Sequence, residues 1–202
     1  MPDGTVLDIE TPHGPARAHV TKVRGAAGAV VLGHGAGGGV GAPDLVIAAE
    51  VAQAEKLSVA LVEQPYRVAG RRSPAPAAQL DTAWIAVVAH LRATTFKRVP
   101  IVCGGRSSGA RVACRTSADA GAMGVLCLAF PLHPPGRPEK SRLEELDAVS
   151  VPVLVVQGAS DPFGMPPPGP SRTVVTVKGN HSLRSDRDAI RTAVRGWLPE
   201  VL

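Results

Sequence analysis

The chain is predicted to form one α/β domain, a mostly parallel sheet with helices on both faces. Three observations carry this expectation. Short apolar runs without alternation recur along it ("AVVLG", "SVALVE", "VPIVC", "VLCLAF", "VPVLVVQ"), and a strand covered on both faces reads that way, whereas a strand with one wet face alternates. Segments with apolar residues at helical spacing stand between these runs. With 202 residues, 45% of them hydrophobic, the chain is long enough for one sizeable core, and residues 1–202 contain no linker that would divide it.

Taken in order, residues 5–10 and 15–23 read as strands around Pro12-His13-Gly14, a leading antiparallel hairpin. "AVVLG" (29–33) begins the parallel part and runs into a glycine-rich loop, 33–41. Pro43-Asp44 suits a helix start, and apolar residues recur at helical spacing as far as Lys56. A strand at 58–63 precedes a helix at 76–95, with Leu80, Trp84, Val87, Val88 and Leu91 on one face. Strands follow at 99–103, 125–130, 151–157 and 173–178, with helices at 108–118 and 185–198. The Ser141-Arg142-Leu143-Glu144 pattern of a capping box suggests a further short helix. Residues 131–140 and 162–172 are proline-rich and read as crossover loops.

Composition excludes several function classes. Aromatics are 3% of the chain, so Val, Ala and Leu must supply the packing. The net charge of +5 is that of a solvated surface rather than a nucleic-acid binder. Cys103, Cys114 and Cys127 lie in or beside apolar stretches with no metal-ligand spacing, which predicts buried free thiols in a reducing compartment. The start "MPDGTVLDIE" is not a secretory leader, and no apolar run approaches a membrane span. The expectation is a cytoplasmic protein without metal or organic cofactor, either monomer or homodimer.

The chemistry-bearing stretch is "VPIVCGGRSSGARVA" (99–113). Gly105-Arg106-Ser107-Ser108-Gly109 fits G-x-S-x-G, a strand-to-helix elbow that projects a nucleophilic serine, here Ser107. The pentapeptide alone is a weak signal; its context decides. A nucleophilic serine needs a base and a group to orient that base. Asp161 follows the strand "VLVVQ" and His181 follows "TVVTVK", giving the order Ser, Asp, His at one sheet edge. Taken singly, Asp161 is an ordinary turn residue and His181 an ordinary surface histidine. Ser108 falls outside the register; its side chain reads as a cap, while its backbone N–H is a candidate oxyanion donor. The loop "GHGAGGGVG" offers a second such N–H, from Ala36. That loop also satisfies G-x-G-x-x-G, but the helix opens only at Pro43, past the third glycine, so a dinucleotide site fits poorly. Gly37, Tyr66, Arg67, Arg106 and His133 lie at the same edge and are candidate substrate contacts. The arginines could favour an acidic acyl group, although structural salt bridges are the more frequent fate of such residues.

The motifs "GHGAGG", "EQPYRVAGRR", "GGRSSGARVA", "FPLHPPGRPEK", "VQGASDPFG" and "GNHSL" together resemble the small dienelactone-hydrolase-like branch of the α/β-hydrolase superfamily. More narrowly, they resemble the bacterial relatives of a hydrolase-fold subunit of the animal NSL chromatin complex. The resemblance runs from about residue 28 to the C-terminus and implies the α/β-hydrolase fold with Ser107, Asp161 and His181 as triad. One departure stands out. Such proteins usually carry a helix between the acid and the last strand, and here "FGMPPPGPSR" replaces it, so weaker support for the Asp161 and His181 loops is expected. No cap domain is evident, and a shallow, open site should result.

The expected function is a serine hydrolase of a small ester, thioester or related acyl substrate. The competing class is a hydrolase-fold interaction protein. Arg184, Arg187, Arg191 and Arg195 would form a basic stripe on the last helix, able to dock an acidic partner.

Overall fold

The computed structural model describes residues 4–202. Eight strands form one sheet: β1 (Thr5–Ile9), β2 (Ala16–Thr21), β3 (Ala29–Gly33), β4 (Ser58–Glu63), β5 (Ile101–Arg106), β6 (Gly124–Leu128), β7 (Val153–Gly158) and β8 (Arg172–Val177). Their spatial order is β1-β2-β4-β3-β5-β6-β7-β8. β2 pairs antiparallel with β1 and β4, and every other pairing is parallel. The helices are α1 (Pro43–Ala54), α2 (Pro65–Val68), α3 (Ala77–Thr94), α4 (Ser108–Arg115), α5 (Leu143–Asp147) and α6 (Arg187–Val201).

The unalternating runs now have their physical explanation. Neighbouring side chains on a strand point to opposite faces, and both faces here are covered. Val31, Cys103, Cys127 and Val155 pack in the layer with α3, α4 and α5. Val30, Leu32, Val102, Leu126 and Leu154 pack in the layer with α1 and α6. The predicted face of α3, Leu80, Trp84, Val87, Val88 and Leu91, is buried in full. All three cysteines are buried and unpaired.

Differences from the sequence reading sit at element ends and in one short added helix. The fifth strand begins at Ile101 and continues through the glycines to Arg106, because pairing with β3 carries it to Gly105. The single turn α2 was not expected; Pro65 at its first position sets φ for a helical start. The capping box does not form. Ser141 Oγ accepts from the Leu143 N–H two residues on, and α5 starts from Arg142 without a side-chain cap. Helix α6 starts later than expected, at Arg187 on an Asp186 cap, and runs past Pro199, which has no N–H to give the Arg195 carbonyl one turn back. Among the described residues no helix is long and apolar enough to cross a membrane.

Candidate active site

Strand β5 enters the elbow at the centre of the sheet. Ser107 has φ 52° and ψ −110°, a left-handed backbone region costly for a residue with a side chain, of order 1–3 kcal/mol. Packing imposes it. A Cβ on Gly105 would lie 2.5 Å from the Gly33 carbonyl oxygen, and one on Gly109 would collide with the same atom. Only glycine on both sides of the turn lets α4 leave so close to β3. The Ser107 N–H is held by the Leu128 carbonyl at 2.9 Å.

Asp161 and His181 arrive from the ends of β7 and β8. Those two loops meet above Gly158, where a Cβ would stand 2.5 Å from the Asn180 carbonyl oxygen. The Ser160 N–H and Oγ both donate to the Gly179 carbonyl at 3.0 Å. The result is a hydrogen-bonded relay. His181 Nε2 lies 2.9 Å from Ser107 Oγ, and His181 Nδ1 lies 2.8 Å from Asp161 Oδ2. The Asp161 side chain is 1% exposed and that of His181 17%, so the acid is sealed while the base meets solvent.

The proline-rich segment 162–171 contains no helix, as its composition predicts. The expectation that the acid loop would be weakly supported is corrected by Gln157. This fully buried side chain ends β7, and its Nε2 faces three acceptors: Asp161 Oδ2 (2.9 Å), the Gly164 carbonyl (2.8 Å) and the Phe130 carbonyl (3.0 Å). The Phe163 N–H donates to Asp161 Oδ1 at 2.9 Å. The Phe163 ring stacks on the His181 imidazole with centroids 4.2 Å apart. Side-chain and backbone donors thus replace a supporting helix.

The glycine-rich loop lies against the elbow. Gly35 to Gly38 form a turn closed by a 3.2 Å bond, with Gly37 at φ 68° as a type II turn requires. A Cβ on Gly35 would be 3.5 Å from that of Ser107. Ala36 and Gly37 are exposed at the tip of this turn, and Ser108 opens α4. His34 braces the loop from inside. The Gln64 N–H donates to its Nε2 (3.1 Å), so Nδ1 carries the proton and donates to the Gly35 carbonyl (2.8 Å). Burial pushes the His34 pKa down.

The candidate substrate contacts are dispersed. Tyr66 is buried, meets the His34 ring edge-on at 5.7 Å, and lines a cavity of about 290 Å³ that no triad residue borders. Arg67 donates to the Arg71 carbonyl. His133 donates Nδ1–H to the Pro134 carbonyl at 2.9 Å, and its ring packs against Gly164. Arg106 turns inward to Asp44 and to the His181 carbonyl. A cleft of about 400 Å³ lies beside the triad, bounded by Gly38, Pro43, Arg106, Ser182 and Arg184. Sequence reasoning missed Gln157, Phe163, His34 and Asp44. The one available signal was a glutamine ending an apolar run.

The model of the alpha/beta hydrolase domain family matches residues 26–194. The chain belongs to the alpha/beta hydrolase family. Its fold is similar to that of a lidless α/β serine hydrolase from Xanthomonas campestris, at 21% identity and a TM-score of 0.75 over 98% of this chain and 97% of that one. Est1E from Butyrivibrio proteoclasticus matches at 16% identity and TM-score 0.78, over 98% of both chains. A dienelactone hydrolase from Anabaena variabilis matches at 17% identity and TM-score 0.78, over 99% of this chain and 98% of that one. This alpha/beta hydrolase is of the minimal kind. Only residues 129–152, with the five-residue α5, separate β6 from β7, and among the described residues no cap domain covers the site. The narrower likeness to the NSL-complex subunit rests on sequence motifs alone.

Proposed function

We propose that this alpha/beta hydrolase cleaves a small ester, thioester or related acyl substrate through an acyl-enzyme on Ser107. The observation that carries the proposal is the relay of 2.9 and 2.8 Å from the strained elbow serine to the sealed carboxylate. Ser107 Oγ attacks the carbonyl carbon and gives its proton to His181 Nε2, while Asp161 fixes the tautomer and stabilises the imidazolium. The developing oxyanion is held by the N–H groups of Ser108 and Ala36, the first at the positive end of α4. The C–O or C–S bond breaks as His181 returns the proton to the leaving group. Water, deprotonated by the same imidazole, then cleaves the acyl-enzyme and frees Ser107. Gly37, Tyr66, Arg67 and His133 remain candidate contacts to the substrate.

The interaction-protein alternative draws less support. Two arginines of the stripe on α6 are taken by α1 and its C-cap, Arg191 by Glu50 at 2.7 Å and Arg195 by Glu55 at 3.3 Å. A fluorophosphonate probe tests the proposal, since it labels only an activated serine. Stoichiometric labelling lost in Ser107→Ala is expected, and a wild-type chain that fails to label is not a serine hydrolase.

A further inference from the structure

Two of the segments that carry the triad, the elbow and the His181 loop, are also joined by one arginine. Arg106 directly precedes the nucleophile, and its guanidinium reaches three other stretches of chain. Nη2 donates to the His181 carbonyl at 2.9 Å. Nε lies 2.9 Å from Asp44 Oδ2, an ion pair without hydrogen-bond alignment, so that Oδ2 has no hydrogen-bond partner. Nη1 packs over Gly35, where a Cβ would come within 3.0 Å. Asp44 stands in the first turn of α1 and is wholly buried. Burial pushes its carboxyl pKa up, with the Arg106 charge the largest opposing influence. Such a pair contributes little net stability, because desolvating both charges offsets their attraction. Its position suggests another role.

We propose that Arg106 is a positioning residue, which fixes the backbone of His181 and thereby the approach of its imidazole to Ser107, with Asp44 as the buried anchor that aims the guanidinium. The proposal rests on the triad acting as described above. The His181 ring is steered from two ends: Asp161 holds Nδ1, and Arg106 holds the carbonyl of the same residue. Because Arg106 adjoins Ser107 in the chain, base and nucleophile are referred to one rigid fork. A lysine is a compact point charge without the planar fork, so it cannot hold its charge against Asp44 and donate to the His181 carbonyl from the same geometry. The ion pair is thus a spacer between the elbow and the histidine loop.

Two variants test this. Arg106→Lys keeps a cation for Asp44, and Asp44→Asn/Arg106→Met removes both charges so that no carboxylate is stranded. The readouts are kcat and KM on p-nitrophenyl acetate, and the downfield Nδ1–H proton resonance of His181. A displacement of about 1 Å at the base corresponds to roughly 10²-fold in rate. The double variant should fold, lose about that factor in kcat with KM within about 3-fold, and shift or broaden the His181 resonance. Arg106→Lys should lose about 10-fold, again in kcat rather than KM. If either folded variant keeps kcat within about 3-fold of wild type, or the resonance is unmoved, Arg106 serves only to neutralise Asp44. A wild-type chain that neither hydrolyses the ester nor labels refutes the proposed function instead, and the resonance still judges the clamp.

Discussion

Gln157→Leu removes an amide while keeping nearly the same volume, and it perturbs the acid of the triad without touching it. Three acceptors lose their donor, but Nε2 has two protons, so at most two full-strength bonds are lost. The bond to the Asp161 carboxylate is charge-assisted, about 1.5–3 kcal/mol, and a bond to a backbone carbonyl contributes about 0.5–1.5 kcal/mol. Against this, Gln157 Oε1 is buried without a partner, and removing it relieves a penalty of about 1–3 kcal/mol. The difference is a net destabilisation of roughly 1–2 kcal/mol, readable as a lower urea midpoint at constant m-value. The effect on rate should be larger than on stability. Asp161 keeps the Phe163 N–H on Oδ1 but has only His181 on Oδ2, and it can rotate away from the plane of the imidazole. A fall of about 10–10² in kcat is expected, with fluorophosphonate labelling slowed in proportion. A variant that is folded, destabilised as calculated and catalytically equal to wild type would refute the reasoning. The Phe163 N–H would then be sufficient to hold the acid.

Ser107→Ala should abolish labelling and ester cleavage while leaving the fold intact, and Ser108→Ala should keep most activity because only its N–H is used; the reverse outcome would put the elbow out of register. His34 gives a pH signature in stability. Its folded pKa is depressed, so between that value and the ordinary 6.5 the unfolded chain binds the extra proton, and stability falls on acidification by up to about 1.4 kcal/mol per pH unit. His34→Gln should remove this component, and equal slopes for the two proteins below about pH 6.5 would show that the native state protonates His34 freely. The uncapped site has little chain with which to bind remote parts of a substrate, so short acyl esters should be cleaved best. A preference for long chains above about 10²-fold, some 2.7 kcal/mol of transition-state binding, would reveal an extended apolar surface over Ser107 in a closed conformation or an oligomer.

Much of this site is legible in the sequence, for a physical reason. Continuous apolar runs announce strands buried on both faces, and Gly105 and Gly109 announce a backbone that no side chain permits; both are properties of residues close together in sequence. The order of Ser107, Asp161 and His181 is local too, since each simply follows a strand. What the chain cannot announce are partnerships between residues far apart whose chemistry is ambiguous alone. Gln157 read as the polar end of a strand until the fold set its amide against Asp161 and the Phe130 carbonyl, 27 residues away. Arg106 read as a substrate contact or a salt bridge, and only the crossing of β5 with α1 and the His181 loop gave it Asp44 and a carbonyl. Arg191 and Arg195 read as a free basic stripe until packing brought α1, 141 residues from Arg191 at Glu50, against α6. A guanidinium or amide is equally satisfied by water, by a ligand or by its own protein. Which of these it meets is fixed by the packing of distant segments, so the sequence determined which groups were available and the tertiary structure decided what each of them holds.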